Sequence, residues 1–410
     1  MKILHINFDC EIVGGTESYL KGLMSEIEIL GYRNFLFFGN KLYANYEDPS
    51  KGFFYIPNLC EPDFSGARSG EQVKRLIKEI DPDIIHVHNE HNPQLVDYLS
   101  RPIVKTLHTP GLTLCPSGSK LFSFGDKVCN HPMGFVCFLM PYLKKCNSRN
   151  PLLITKSYSK AKANLHVLNK YDKVIVASYY MKNLLIKNGI PSDKVYINPY
   201  FVYIPQTRNE NKQTCDNVLP TLLFVGRITR GKGLQYLVHA LKQLTISTRL
   251  LVVGDGDYLP DLKKQGEKML RHQVEYLGWL SGGELSRIYE SVQVVIMPSI
   301  WAEAFGIVGI EAMSHGKPVV AFDVGGIREW LSDGEVGYLV PSGNAAVLAE
   351  RIDYLLKNPS EAQKLGEAGR RKVLKKFLPE YHLARLIDVY KQAIASNWSR
   401  RLEKYDSSVV

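Results

Sequence analysis

Two glutamates eight positions apart, Glu303 and Glu311, stand in the segment SIWAEAFGIVGIEAMSHGKP, residues 299–318. An apolar run at 292–297 leads in and another at 318–322 leads out, so the pattern predicts strand, loop, helix, strand. A helix N-terminus offers unpaired backbone N–H groups and the positive end of the dipole, which suits phosphate. The carboxylates cannot hold phosphate, but they accept hydrogen bonds from hydroxyls, as sugars and riboses require. A diphosphate with a sugar on each side, that is, a nucleotide sugar, fits this layout. A residue on the polar face of a helix is the plain alternative for Glu311. Glu303, between Trp301 and Phe305, is harder to explain that way.

Other candidates also fall where strands should end. Val13-Gly14-Gly15-Thr16-Glu17 places paired glycines between a strand and a helix, where the backbone can approach an anion, although such pairs are also common turn chemistry. Gly226-Arg227-Ile-Thr-Arg230-Gly231-Lys232-Gly233 puts cations in a glycine-rich turn. Arg227 can grip phosphate with its fork and Lys232 as a point charge. The spacing is not that of a P-loop, and a solvated turn is the bland reading. Gly254-Asp255-Gly256 suits a tight turn beside a ligand.

His86, His88, His91 and His108 follow strands as well, and His-x-His at strand spacing puts two rings on one face. A zinc site lacks clearly placed carboxylate or Cys partners. His108 can contact substrate, assist proton movement or simply be a satisfied histidine. Cys115, Cys129, Cys137 and Cys146 share one loop-rich stretch with His131. Free thiols, a metal clip and disulfides all stay open there.

Elements that position these residues alternate along the chain. Strands are predicted at 2–8, 35–38, 84–87, 103–107 and 173–177, with helices at 16–30 and 71–80. The polar stretch 206–218 reads as a linker or surface loop. Alternation then restarts, with strands at 221–225, 249–253 and 275–277 and helices near 234–244 and 284–291, and helices at 345–356, 359–377 and 379–398 close the chain. Such βαβ order implies parallel doubly wound sheets, with ligands at the carboxyl ends of the strands.

A length of 410 residues favours two domains. Composition, with 45% hydrophobic and 22% charged residues, is that of an ordinary globular protein. No apolar stretch is long enough to span a membrane, and the N-terminus does not read as a signal peptide. Seven cysteines, an odd number, suggest reduced thiols in a cytoplasm. The formal net charge of +10 is uneven: residues 127–171 carry eight Lys or Arg and no Asp or Glu. That run can meet an anionic membrane or a phosphorylated acceptor, or be a solvated face. It lacks Arg-rich clusters and nucleic-acid motifs, so nucleic acid is not expected as a partner.

Taken in order, GGTESYL, DIIHVHN, KTLHTP, FVGRITRGKG, VVGDGD, YLGWLS, MPSIWAEAFGIVGIEAMSHGKPVVAFDVGG and GYLVPSGN resemble a retaining glycosyltransferase of family 4. The match runs over nearly the whole chain and is strongest at 222–343. The resemblance implies the α/β GT-B fold, two doubly wound parallel-sheet (Rossmann-like) domains facing across a cleft. Residues 1–205 would form the acceptor-side domain with a Cys-rich basic insertion near 111–170. Residues 206–378 would bind the nucleotide sugar, and 379–410 would cross back as a helix.

Site roles follow from the same resemblance. Arg227 and Lys232 would hold the donor diphosphate, Glu311 the ribose hydroxyls and Glu303 the transferred sugar. Backbone amides of Phe305, Gly306, Ile307 and Val308 would lie near the diphosphate, Gly14 and Gly15 would close over the phosphates, and His108 would lie near the reacting carbon or the sugar's 6-position. No cofactor and no divalent metal would be required. The expected partners are a nucleotide-sugar donor, UDP-linked first and GDP-linked next, and a glycan or lipid-linked acceptor in polysaccharide, lipopolysaccharide or glycolipid assembly. The expected location is cytoplasmic, with peripheral contact at the inner face of the membrane through residues 127–170. The Cys-rich insertion is not part of the minimal family pattern. A nucleotide-sugar 2-epimerase and a non-catalytic nucleotide-sugar-binding subunit are the alternatives on this fold.

Overall fold

A computed structural model of the chain describes residues 1–11, 14–59, 67–89, 92–205, 219–266 and 273–406. Val13, His91 and the linker at 206–218 lie outside the described residues. Two compact units divide the chain: Met1–Lys120, Asn130–Tyr200 and His382–Val410 form one, and Leu121–Cys129 with Phe201–Tyr381 form the other.

The first unit is built on strands β1 (Lys2–Asn7), β2 (Arg33–Phe38), β3 (Phe53–Tyr55), β4 (Ile84–Val87), β5 (Ile103–Thr106), β8 (Lys173–Val176) and β9 (Val195–Ile197), the numbers β6 and β7 belonging to a separate hairpin, Leu121–Phe122 and Lys127–Val128. The sheet order is β3-β2-β1-β4-β5-β8-β9, with every pairing parallel. Its central strands β4 and β5 are buried throughout, as parallel strands covered on both faces must be. The edge strands β3 and β9 have three residues each, too few for a periodic signal, so the sequence does not announce them.

The second unit carries β10 (Thr221–Val225), β11 (Arg249–Val253), β12 (Gln273–Gly278), β13 (Val294–Met297), β14 (Val319–Phe322) and β15 (Gly337–Val340), in the order β12-β11-β10-β13-β14-β15 and all parallel. Chain direction through the sheet reverses between β10 and β13. In the first unit it reverses between β1 and β4. At such switch points the loops leaving adjacent strands part and open a crevice, where ligands of open α/β sheets bind.

One segment departs from the sequence reading. The hairpin at 121–128 was expected to belong to the N-terminal domain, yet it packs with the second unit. The reason is polar: the Asp126 carboxylate accepts from Tyr236 Oη at 2.7 Å and from Arg230 Nη2 at 3.3 Å. The closing helix Pro379–Asp406 belongs with the first unit from His382 onward. There the Tyr390 hydroxyl meets His86 Nδ1 at 2.6 Å, and His382 Nδ1 donates to the Pro199 carbonyl at 2.7 Å. Among the described residues no helix is long and apolar enough to cross a membrane.

Candidate functional site

In the second unit, the loops leaving β10 and β13 carry the phosphate-type cations and Glu303. They are stitched together through one carbonyl. Gly231 O accepts from the N–H of Ile300 at 2.9 Å, from that of Trp301 at 3.0 Å and from Ser299 Oγ at 3.3 Å. The same approach lets Lys232 Nζ reach Glu303 Oε1 at 2.6 Å. Ser299 lies in two hydrogen-bond geometries, at 2.7 Å from that carboxylate oxygen as well as near Gly231 O. Glu303 is 7% exposed, whereas the Lys232 side chain is 31% exposed. The carboxylate is therefore buried and held, whereas the Lys232 side chain keeps part of its surface exposed.

Two glycines make this closeness possible. Gly233 turns the chain at φ +74°, and a Cβ there would lie 1.7 Å from the Pro298 carbonyl oxygen. Gly325, at φ +56°, would place a Cβ 2.1 Å from Glu303 O, while the next N–H, of Gly326, donates to that same oxygen at 2.8 Å. Both neighbours are backbone and cannot rotate away. Gly233→Ala is therefore expected to destabilise the chain by about 3 kcal/mol or more, combining left-handed strain with overlap, read as a lowered thermal midpoint. An unchanged midpoint would show that the loops can part without cost.

The helix Ile307–Ser314 starts after Gly306, at φ +84°. Its opening N–H groups, at Ile307 and Val308, have no acceptor earlier in the helix. Phe305 is buried and locked from behind, because Trp330 Nε1 donates to the Phe305 carbonyl at 2.7 Å. One turn into the helix, Glu311 accepts from the Tyr289 hydroxyl at 3.1 Å. Burial raises the Glu311 pKa, and the Tyr289 bond opposes that rise. Arg227 is exposed and has no ion pair with a described residue. The turn at Gly254–Gly256 supports the same loop, Ile228 N donating to Asp255 O at 2.8 Å.

The first unit presents a different constellation. Gly14 caps the helix Gly15–Ile29 in extended backbone, and Gly15 is exposed. Glu17 in that first turn accepts from Asn89 Nδ2 at 3.2 Å. His108, just past β5, is 6% exposed. Its Nδ1 lies 2.6 Å from the Tyr200 hydroxyl and its Nε2 3.3 Å from His88 Nδ1. Burial drives the His108 pKa down to about 3. A neutral ring with both nitrogens engaged is a fixed contact, poorly matched to moving a proton near neutral pH.

The metal alternative meets a similar obstacle. His5, His86 and His88 have ring nitrogens within 4.8 Å of one another. All their nitrogens have partners: His5 with His88 and Asn34, His86 with Tyr390 and Thr106, His88 with His5 and His108. An ion would have to break that network. In the Cys-bearing stretch, Cys115 and Cys137 carry thiols, Cys115 Sγ lying 3.1 Å from Ser117 Oγ.

The structure thus pairs Lys232 with Glu303 in the second unit, with the helix start and Glu311 following Glu303 in the same segment, and places His108 in a histidine cluster of the first. Sequence reading missed Ser299, Tyr289 and Tyr200 as supporting groups. Ser299 lay inside the segment already singled out. Nothing in the local pattern marks the other two, whose roles come from packing.

Two family models match the chain, one described as Glycosyltransferase Family 4 over residues 13–203 and one as Glycosyl transferases group 1 over residues 205–372. A phosphatidyl-myo-inositol mannosyltransferase of Mycobacterium leprae is 30% identical over 310 residues, covering 74% of this chain and 71% of its own. An uncharacterized glycosyltransferase of Methanocaldococcus jannaschii is 29% identical over 322 residues, 76% of each chain. Among solved structures, a glycosyltransferase of Rickettsia africae superposes with a TM-score of 0.71 at 20% identity, covering 96% of this chain and 98% of its own. Anabaena HepE in complex with UDP gives 0.70 at 19%, covering 98% and 100%. At such identities these two likenesses are likenesses of fold.

Proposed function

Because this chain belongs to glycosyltransferase family 4, we propose that it transfers a hexose-type sugar, with retention, from a nucleotide diphosphate sugar to a glycan or lipid-linked acceptor. It is a glycosyltransferase with the GT-B fold. The observation that carries the finer reading is the Lys232–Glu303–Ser299 arrangement at the mouth of the helix Ile307–Ser314.

In this reading Lys232 and Arg227 bind the diphosphate, and the amides from Phe305 to Val308 add oriented dipoles. Charge develops on the departing diphosphate, so fixed cations and helix-start amides lower the barrier most when already in place. Glu303 takes hydroxyls of the transferred sugar and Glu311 those of the ribose. His108 contacts substrate as a neutral ring. No divalent metal is assigned a part, the positive charge coming from Arg227 and Lys232. UDP is the first carrier to test, because UDP is bound by the fold relative HepE, and GDP the second. Incubating the protein with donor alone separates this reading from the 2-epimerase one. The donor sugar should keep its configuration until an acceptor is added, and the anomeric coupling of the product should match that of the donor. Epimerised donor without acceptor would sink the proposal.

The acceptor side rests on a surface. Phe135 is 85% exposed and Leu152 79% exposed, with Leu139, Leu143 and Leu153 also exposed on the helices Val136–Lys144 and Pro151–Val167. These apolar side chains lie within the run of eight cations and no acids. Apolar insertion plus attraction of about 1 kcal/mol per cation suits an anionic bilayer. The protein is expected to float with phosphatidylglycerol vesicles but not with phosphatidylcholine vesicles, and high salt or Phe135→Asp with Leu139→Asp should release it. Equal recovery with both lipids would remove the membrane from the account.

A further inference from the structure

A line of hydrogen bonds runs through the buried interior of the first unit. Asn34 Oδ1 lies 3.1 Å from His5 Nε2, His5 Nδ1 lies 3.1 Å from His88 Nε2, His88 Nδ1 lies 3.3 Å from His108 Nε2, and His108 Nδ1 lies 2.6 Å from the Tyr200 hydroxyl. His5, His88, His108 and Asn34 are all less than one-tenth exposed. Burial lowers the pKa of each ring, to about 4 for His5 and about 3 for His108. Each ring is therefore neutral and carries one N–H and one lone pair.

A chain of neutral imidazoles can be polarised in either direction, and Asn34 chooses. Its Nδ2 donates to the Met24 carbonyl at 2.7 Å and points toward Glu28 Oε1 at 3.4 Å, so its oxygen must be the atom facing His5. His5 Nε2 must then donate, which leaves Nδ1 to accept from His88 Nε2–H. His88 Nδ1 in turn accepts from His108 Nε2–H, and His108 Nδ1 accepts from Tyr200. The opposite polarity would set the His5 Nε2 lone pair against the Asn34 oxygen. Burial leaves no water to relieve that contact.

We propose that Asn34, His5 and His88 are positioning residues that hold His108 in its Nε2–H tautomer and, with both its nitrogens bonded within the unit, fix its ring plane, so that the rest of the ring meets substrate in a single orientation. The proposal rests on the reading that His108 contacts substrate. A histidine's tautomer is set by the bond its other nitrogen makes, and here that control is passed through two rings to an amide on β2.

The test labels histidine side chains with ¹⁵N in the full chain and finds the His108 signals by their loss in His108→Gln. Wild type should show the proton of His108 on Nε2. A proton on Nδ1 overturns the proposal whatever the variants do, so the test survives a variant that fails to fold. Asn34→Leu removes the deciding acceptor and should give a mixture of tautomers. With it kcat should fall, by roughly ten- to a hundred-fold on the scale of losing the group that orients a metal-bound histidine, with donor KM unchanged. A folded Asn34→Leu with unaltered tautomer, or with altered tautomer and unaltered kcat, overturns it. Failure of the underlying reading shows separately, as full turnover in His108→Ala.

Discussion

Lys232→Ala is expected to lower kcat by roughly a hundred- to a thousand-fold, the effect of deleting one preorganised group that stabilises transition-state charge. The ammonium belongs to a rigid assembly. Glu303 Oε1 holds it at 2.6 Å, Ser299 holds Glu303, and Gly231 O ties the two loops together. It is also the less buried member of the pair, so it can serve two anions at once. Truncation leaves the Glu303 carboxylate buried without its cation, which carries a stability cost of its own. Turnover is therefore measured at saturating donor and acceptor, well below the thermal midpoint of the variant. Wild-type-like turnover in a folded Lys232→Ala protein would contradict the assignment of this loop to the leaving diphosphate.

The second large effect falls on binding. Glu311→Ala removes a charged acceptor proposed to take the ribose hydroxyls, and bonds to charged groups contribute about 1.5–3 kcal/mol each. Donor KM should rise by roughly a hundred-fold or more if two such bonds are lost, with kcat at saturation much less affected. Tyr289 would lose its 3.1 Å partner as well, so Glu311→Gln, which keeps the shape, separates packing from charge. A pH dependence follows from the burial of Glu311. Its pKa lies above the ordinary carboxylate value, so protonation begins at a higher pH than for an exposed glutamate. The protonated group has a donor where the donor substrate needs an acceptor. Donor affinity should therefore weaken as pH falls through that raised pKa, and Glu311→Gln should flatten this limb of the profile. An unchanged KM in both variants would place the nucleotide elsewhere.

Much of this was legible from local pattern. Buried parallel strands such as Thr221–Val225 and Arg249–Val253 are short unbroken apolar runs, and their boundaries agree with the sequence reading. The helix after Gly306 was legible because a glycine and an apolar repeat mark its start. Edge strands were not, since three residues such as Phe53–Tyr55 carry no period. Nor was the hairpin around Asp126, whose place is decided by partners more than a hundred positions away, Arg230 and Tyr236.

The site shows the same division. Glu303, Glu311 and Lys232 stand out because charged residues among glycines and apolar residues are costly unless used. Ser299, Tyr289 and Tyr200 do not, because a hydroxyl gains its role only from what folds against it. The histidines were visible as a cluster but not as a sequence of bonds. That order depends on β1 lying beside β4, with His5 in register with His86, which no short-range spacing encodes.

Thermal unfolding against a panel of UDP- and GDP-sugars tests the central claim most directly. A ligand that binds only the folded chain stabilises it by about 2.7 kcal/mol at a hundred times its Kd. The account predicts that at least one nucleotide sugar raises the midpoint, that the free sugar does not, and that Glu311→Ala loses the shift. A panel in which no nucleotide sugar moves the midpoint, or in which Glu311→Ala responds as wild type does, would contradict it.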